Sequence, residues 1–143
     1  MKIDKEILDD FVAEIKIIEK ELKVIIDQII QTKMEDATLF QKFGQVIDRI
    51  YGTAATLGFK EITDYTRCLK SICYMSGQSP NMKGREKVVR MMVNSLKYLN
   101  DLTLVIEKPE EIDKIKILLN QEIGRASLLE KKEFFGITKK SCD

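Results

Sequence analysis

Side chains that usually carry chemistry are scarce in this sequence. None of its 143 residues is a histidine, which removes the commonest general base, the commonest imidazole metal ligand and every phosphohistidine mechanism. The three cysteines, Cys68, Cys73 and Cys142, are odd in number and show no metal-ligand spacing. They read as reduced, packed thiols, with a redox switch at Cys68 or Cys73 as the alternative. The chain has no glycine-rich phosphate loop and no pattern for a metal cluster or a nucleophile–base pair. These absences point away from an enzyme and away from a bound metal or cofactor.

One stretch is unusual in another way. Asp48-Arg49-Ile50-Tyr51-Gly52-Thr53-Ala54-Ala55-Thr56-Leu57-Gly58-Phe59 holds two glycines, two alanines and two threonines on a segment patterned as a helix. Small residues there either let a neighbouring helix approach closely or leave a groove on the surface. Gly52 inside a helix costs roughly 1 kcal/mol relative to alanine, so a compensating reason is expected. Beside it, Tyr51 can serve as a partly exposed aromatic anchor for a partner or lie over its own helix as inert cover.

Apolar residues spaced by threes and fours predict five helices to position these groups. The first runs through Leu8, Phe11, Ile15, Ile18, Leu22, Ile25 and Ile29. Val12, Ile17, Val24, Ile26 and Ile30 widen its apolar surface, so it should meet more than one neighbour. A turn at residues 31–35, with Asp36 as cap, leads to Phe40, Phe43, Ile47, Ile50, Ala54 and Leu57, which end at Gly58. The third stripe is Ile62, Tyr65, Leu69 and Ile72, closing near Ser76-Gly77, and so short a connection after the second helix favours an antiparallel pair. Val89, Met92, Leu96, Leu99 and Ile106 mark the fourth helix, with Val88, Met91 and Leu102 beside them. Pro109-Glu110-Glu111 opens a fifth that continues through Ile112, Ile115, Leu119, Ile123 and Ala126. Phe134-Phe135-Gly136 marks a change of character, and residues 139–143 read as frayed. No segment alternates with the period of a strand, so the expected class is all-α, an antiparallel helical bundle in one domain.

The net charge of +1 gives no electrostatic reason to expect nucleic acid or an anionic membrane surface as partner. No apolar run approaches the roughly 20 residues of a membrane span, and charges recur from Lys2 onward, unlike a secretory signal. A cytoplasmic location is the expectation.

The helix-two run resembles the histidine-phosphotransfer (HPt) family, most of all the N-terminal phosphotransfer domain of chemotaxis histidine kinases. That family's signature is histidine, any residue, an aliphatic, lysine, glycine, a small residue and a small-rich stretch closing in Gly-Phe. Ile50, Gly52, Thr53, Ala54, Ala55, Thr56, Leu57, Gly58 and Phe59 fit it. More weakly, the resemblance covers all five helices to about Ile123. It implies a four-helix bundle of HPt type with an additional C-terminal fifth helix, residues 1–126 forming the HPt-like domain and 127–143 a C-terminal extension, partly helical or frayed.

The departures from the signature bear on function. Asp48 occupies the histidine position, Tyr51 stands where the family places a lysine, and Lys70 falls where chemotaxis-type members carry a glutamate. A carboxylate can accept phosphate, but with a magnesium ion held by further hard ligands. The positions one turn either side of Asp48 are Gly44, Gln45, Tyr51 and Gly52, and none adds a carboxylate. If helices two and three pair as in the family, Asp48 and Lys70 face each other as a surface ion pair; otherwise both are ordinary solvated charges. Gln45, Asp48, Tyr51, Gly52, Arg67, Lys70 and Ser71 then correspond to the family's docking surface, with Asp48 as a degenerate phosphoacceptor position. The resemblance implies a protein of two-component signalling that binds a receiver domain or a histidine kinase without carrying phosphate. Two alternatives stand beside it. One is an assembly role, including a homodimer, through helices four and five with Leu128, Leu129, Phe134 and Phe135 beyond them. The other is a phosphocarrier that uses Asp48.

Overall fold

The structure, a computed structural model, describes residues 3–137, and it is all-α: five helices, with no strand among the described residues. They are α1 (Lys5–Gln31), α2 (Ala37–Leu57), α3 (Lys60–Gln78), α4 (Met82–Val105) and α5 (Pro109–Glu133). Short polar side chains start three of them by taking backbone N–H groups that a helix leaves unpaired. Asp4 accepts from Glu6 N, Asp36 from Thr38 N and Asn81 from Gly84 N, each at 3.0 Å. Pro109 occupies the first turn of α5, followed by Glu110 and Glu111. Gly58 ends α2 in the left-handed region at φ 82°, and Phe59 N donates back to Ala54 O at 3.0 Å. The chain therefore reverses within two residues, and Phe59 stacks on Phe11 of α1 with ring centroids 5.8 Å apart.

α2 and α3 form the tightest pair and run antiparallel. Ala37 lies beside Gly77, Gly44 beside Lys70 and Cys73, and Asp48 beside Lys70. α1 packs on α2 and α4, while α5 lies against α3 and α4. The core they enclose includes Phe11, Ile15, Ile18 and Leu22 of α1, Phe40, Phe43, Ile47 and Ile50 of α2, Tyr65 and Leu69 of α3, and Met92 and Leu99 of α4.

Some sequence expectations shift. On α1, Ile26 is buried, but Ile17, Val24 and Ile30 face solvent, because two neighbours cover less than the full apolar arc. On α4 the buried stripe is Val88, Met91, Met92, Ser95, Leu99 and Leu102, and Val89 and Leu96 only border it. Helix α5 passes residue 126 without a break. Leu129 and Phe134 are buried, and the Phe134 ring sits against Gly84, where a Cβ would lie 2.8 Å from it. Residues 127–137 thus pack on the same core as those before them. The expected fraying of 139–143, and Cys142, lie outside the described residues.

The α1–α2 turn carries two consecutive non-glycine residues at positive φ, Lys33 (54°) and Met34 (62°). Each costs roughly 1–2 kcal/mol. A buried arginine holds them in place. Arg85 Nη1 donates to Met34 O at 2.8 Å and to Glu35 O at 3.3 Å, while its Nε donates to Ser76 O at 3.0 Å. Its guanidinium lies 5.3 Å from the centre of the Phe40 ring. One side chain of α4 thereby ties the α1–α2 turn to the end of α3.

Candidate functional site

The antiparallel α2–α3 pair presents one mixed polar and small-residue face. Its helices approach closely because Gly44 offers only a hydrogen to α3: a Cβ there would lie 3.3 Å from Lys70 O and 3.6 Å from Cys73 Cβ. One turn further along α2, Asp48 Oδ1 accepts from Lys70 Nζ at 2.7 Å. The two charges do meet. The Lys70 side chain is 12% exposed and Asp48 49%, so the ammonium is the more enclosed partner and the carboxylate stays open to solvent.

Tyr51 lies near two cations of α3. Lys70 Nζ lies 5.4 Å and Arg67 Cζ 5.6 Å from its ring centre, within the range of cation–π attraction. Tyr51 is half-buried, with its ring against these two cations of α3. Gly52, next to it, is exposed, as are Ala55 and Thr56. A Cβ on Gly52 would meet nothing within 4 Å. Within the small-residue run, tight packing therefore explains the buried Ala54 and not Gly52; the close approach of α3 is at Gly44, before the run. Exposed Gln45 and half-buried Ser71 share the face by position. Behind it, Arg49 reaches Glu21 at 3.1 Å and Thr53 reaches Glu14 at 3.0 Å, fixing α2 to α1.

Among the described residues no group of three or more cysteine, aspartate and glutamate side chains gathers to hold a metal ion. Complete burial raises the Cys73 thiol far above its ordinary pKa, so almost no thiolate forms at neutral pH, and its use as a redox switch loses support.

A second set of polar residues escaped the sequence reasoning. Glu122 of α5 is buried, and its Oε1 accepts from Arg125. Tyr65 and Tyr98 meet edge to face, with ring centroids 6.1 Å apart. Burial, then the neighbouring Glu122, raises the pKa of the Tyr65 hydroxyl well above its usual value. The signal was present in the pattern: Leu119, Glu122, Ala126 and Leu129 are spaced by threes and fours, with an acid on an otherwise apolar stripe.

No helix among the described residues is long and apolar enough to cross a membrane. Fold and face together define an all-helical protein with a mixed polar and small-residue face on one helix pair. In comparisons with protein-family models, curated proteins and solved structures, nothing matches the chain.

Proposed function

We infer that this chain is a degenerate HPt-like protein of two-component signalling. It docks a response-regulator receiver domain or a histidine kinase through the α2–α3 face, in the cytoplasm, and passes no phosphate. The packing supports an HPt-type reading: α1 meets α2, α2 meets α3, α3 meets α4 and α4 meets α1, with α5 laid on α3 and α4, which is the neighbour scheme of a four-helix bundle plus an added helix. The observation that carries the functional reading is Gly52. It costs helix stability, is exposed, directly follows Tyr51 one turn after Asp48, and a Cβ added to it would meet nothing within 4 Å. A glycine at that place lets the backbone of another protein approach.

The test is a binding measurement against purified receiver domains and kinases of the source organism. The Tyr51→Ala and Lys70→Glu variants should each lower affinity by about tenfold or more, the scale of a hot-spot contact. Binding of no receiver or kinase, or binding indifferent to both substitutions, removes the proposal. Label appearing on Asp48 after incubation with a phosphorylated kinase would establish the phosphocarrier reading in its place.

A second reading rests on its own observation. Leu104 of α4 and Ile117, Leu118 and Leu128 of α5 are exposed, which suits assembly, including a homodimer, through those helices. Light scattering with contact mapping separates the two: protection on α4 and α5 favours assembly, protection around Asp48 favours docking.

A further inference from the structure

The cleft between α4 and α5 shares no residue with the α2–α3 face. Its most unusual element is Glu122, 1% exposed on the buried stripe of α5. Of its two carboxylate oxygens, Oε1 accepts from Arg125, and Oε2 has no hydrogen-bond partner among the described residues. Enclosing a carboxylate so incompletely matched is costly, and an apolar residue would suit the core better. What the carboxylate does is hold Arg125, whose side chain is 63% exposed, in one place at the mouth of the cleft.

The cleft encloses about 310 Å³ and is lined by Lys87, Arg90, Met91, Asn94, Glu122, Arg125 and Leu129. Three cations thus surround it against one carboxylate, which is sunk beneath the surface. Met91 and Leu129 are almost fully buried hydrophobic residues and supply an apolar floor. Lys87 rests on Glu133 and Arg90 on Glu86, each at 3.7 Å. The Arg90–Glu86 contact joins two exposed groups and contributes little, so an incoming anion can displace it, while Lys87 stays on the more enclosed Glu133. The volume lies at the small end of the range for ligand pockets.

We propose that the α4–α5 cleft binds a small organic anion, one with a carboxylate or phosphate head and a compact apolar body. The head meets the guanidinium forks of Arg125 and Arg90, with Lys87 adding charge, since such forks match planar and tetrahedral oxyanions. The body covers Met91 and Leu129. Glu122 acts as a positioning residue: without its carboxylate, Arg125 is no longer held at the rim.

The experiment is a nitrogen–proton NMR titration of the full chain with 1-naphthoate, 1-naphthyl phosphate, uncharged 1-naphthamide and inorganic phosphate. The first two should shift amides within 87–94 and 122–129 and bind at least about tenfold more tightly than either control. Whichever of the two binds more tightly identifies the head group. Arg90→Met and Arg125→Met should each weaken binding by about tenfold. Glu122→Gln should weaken it less while keeping the spectrum of the folded protein. Should Arg125→Met unfold, Arg90→Met alone decides, since Arg90 is exposed on the rim. The inference is overturned if neither naphthyl anion shifts those amides, if either control binds as tightly, or if Arg90→Met leaves affinity unchanged.

Discussion

Gly44 and Gly52 lie two turns apart on α2, and alanine should act oppositely at the two positions. At Gly52 the added methyl meets nothing within 4 Å, so Gly52→Ala should stabilise the fold by the helix-propensity difference, about 0.8–1 kcal/mol. For a chain of this length that corresponds to a rise in Tm of about 3 °C, or about 0.5 M in the urea midpoint at a slope near 2 kcal/mol/M. At Gly44 the same methyl lies 3.3 Å from Lys70 O. A backbone oxygen in the middle of α3 cannot swing aside, so the two helices must part. Overpacking of that kind costs about 1–3 kcal/mol, against which the same propensity gain of about 1 kcal/mol is set. Gly44→Ala should therefore destabilise by up to about 2 kcal/mol.

Gly124 of α5 provides the control. It too is exposed and helical, and a Cβ there meets nothing within 4 Å, so Gly124→Ala should gain about the same 0.8–1 kcal/mol. Urea unfolding followed by far-ultraviolet circular dichroism measures all three variants, and unchanged slopes would confirm that only stability has moved. The decisive comparison is between stability and binding. Gly52→Ala and Gly124→Ala should look alike in urea, yet only Gly52→Ala should weaken a receiver or kinase partner. If Gly52→Ala fails to stabilise, its exposed, contact-free placement is wrong. If it stabilises and every partner binds it as tightly as the parent, Gly52 has no recognition role and the docking reading loses its main support.

Arg85→Ala should destabilise by about 3–4 kcal/mol in urea, since three carbonyls lose a charged donor; a loss below about 1 kcal/mol would show that the α1–α2 turn holds itself. A double-mutant cycle of Asp48→Asn with Lys70→Met should give a coupling of no more than about 1 kcal/mol that shrinks with added salt, and a salt-independent coupling would contradict the half-open geometry of the pair. Glu19 has its carboxyl pKa raised above 4.5 by burial, and its Oε1 lacks a partner. Its ionised form is therefore disfavoured in the fold, so this residue's contribution to stability falls as pH rises from 4.5 through the folded pKa. Glu19→Gln should raise stability at neutral pH by about 0.5 kcal/mol, discounted for its solvent exposure, with the gain vanishing below pH 4.5. A gain that persists in acid would rule out ionisation as the cause.

The helices were legible because their signals are local. Asp36, Gly58 and Pro109 punctuate the chain by their own conformational preferences, and the stripes of α1, α2 and α3 follow from spacing alone. On α4 the spacing marks Met92, Leu99 and Ile106 correctly and misplaces only Val89 and Leu96, because Val88, Val89, Met91 and Met92 are all apolar and the neighbouring helices decide which of them are covered. The Asp48–Lys70 contact was legible only through an assumed pairing of α2 with α3, since the two residues stand 22 apart in the chain. Nothing local marked Arg85, whose acceptors lie in an earlier turn and an earlier helix.

The same distinction separates the two kinds of costly residue in this molecule. Arg85 is a buried charge whose acceptors are all parts of the chain itself, so its expense is accounted for within the fold. Gly52, like Gly124, weakens a helix where an added methyl would meet no neighbour, and Glu122, like Glu19, encloses a carboxylate oxygen without a hydrogen-bond partner. Such a position points to a demand from outside the molecule only where a mixed polar face or a cleft surrounds it, as at Gly52 and Glu122. Here the two positions fall on different helix pairs. The two proposed roles, docking on α2–α3 and ligand capture on α4–α5, should therefore be separable by mutation, a variant that abolishes one leaving the other intact.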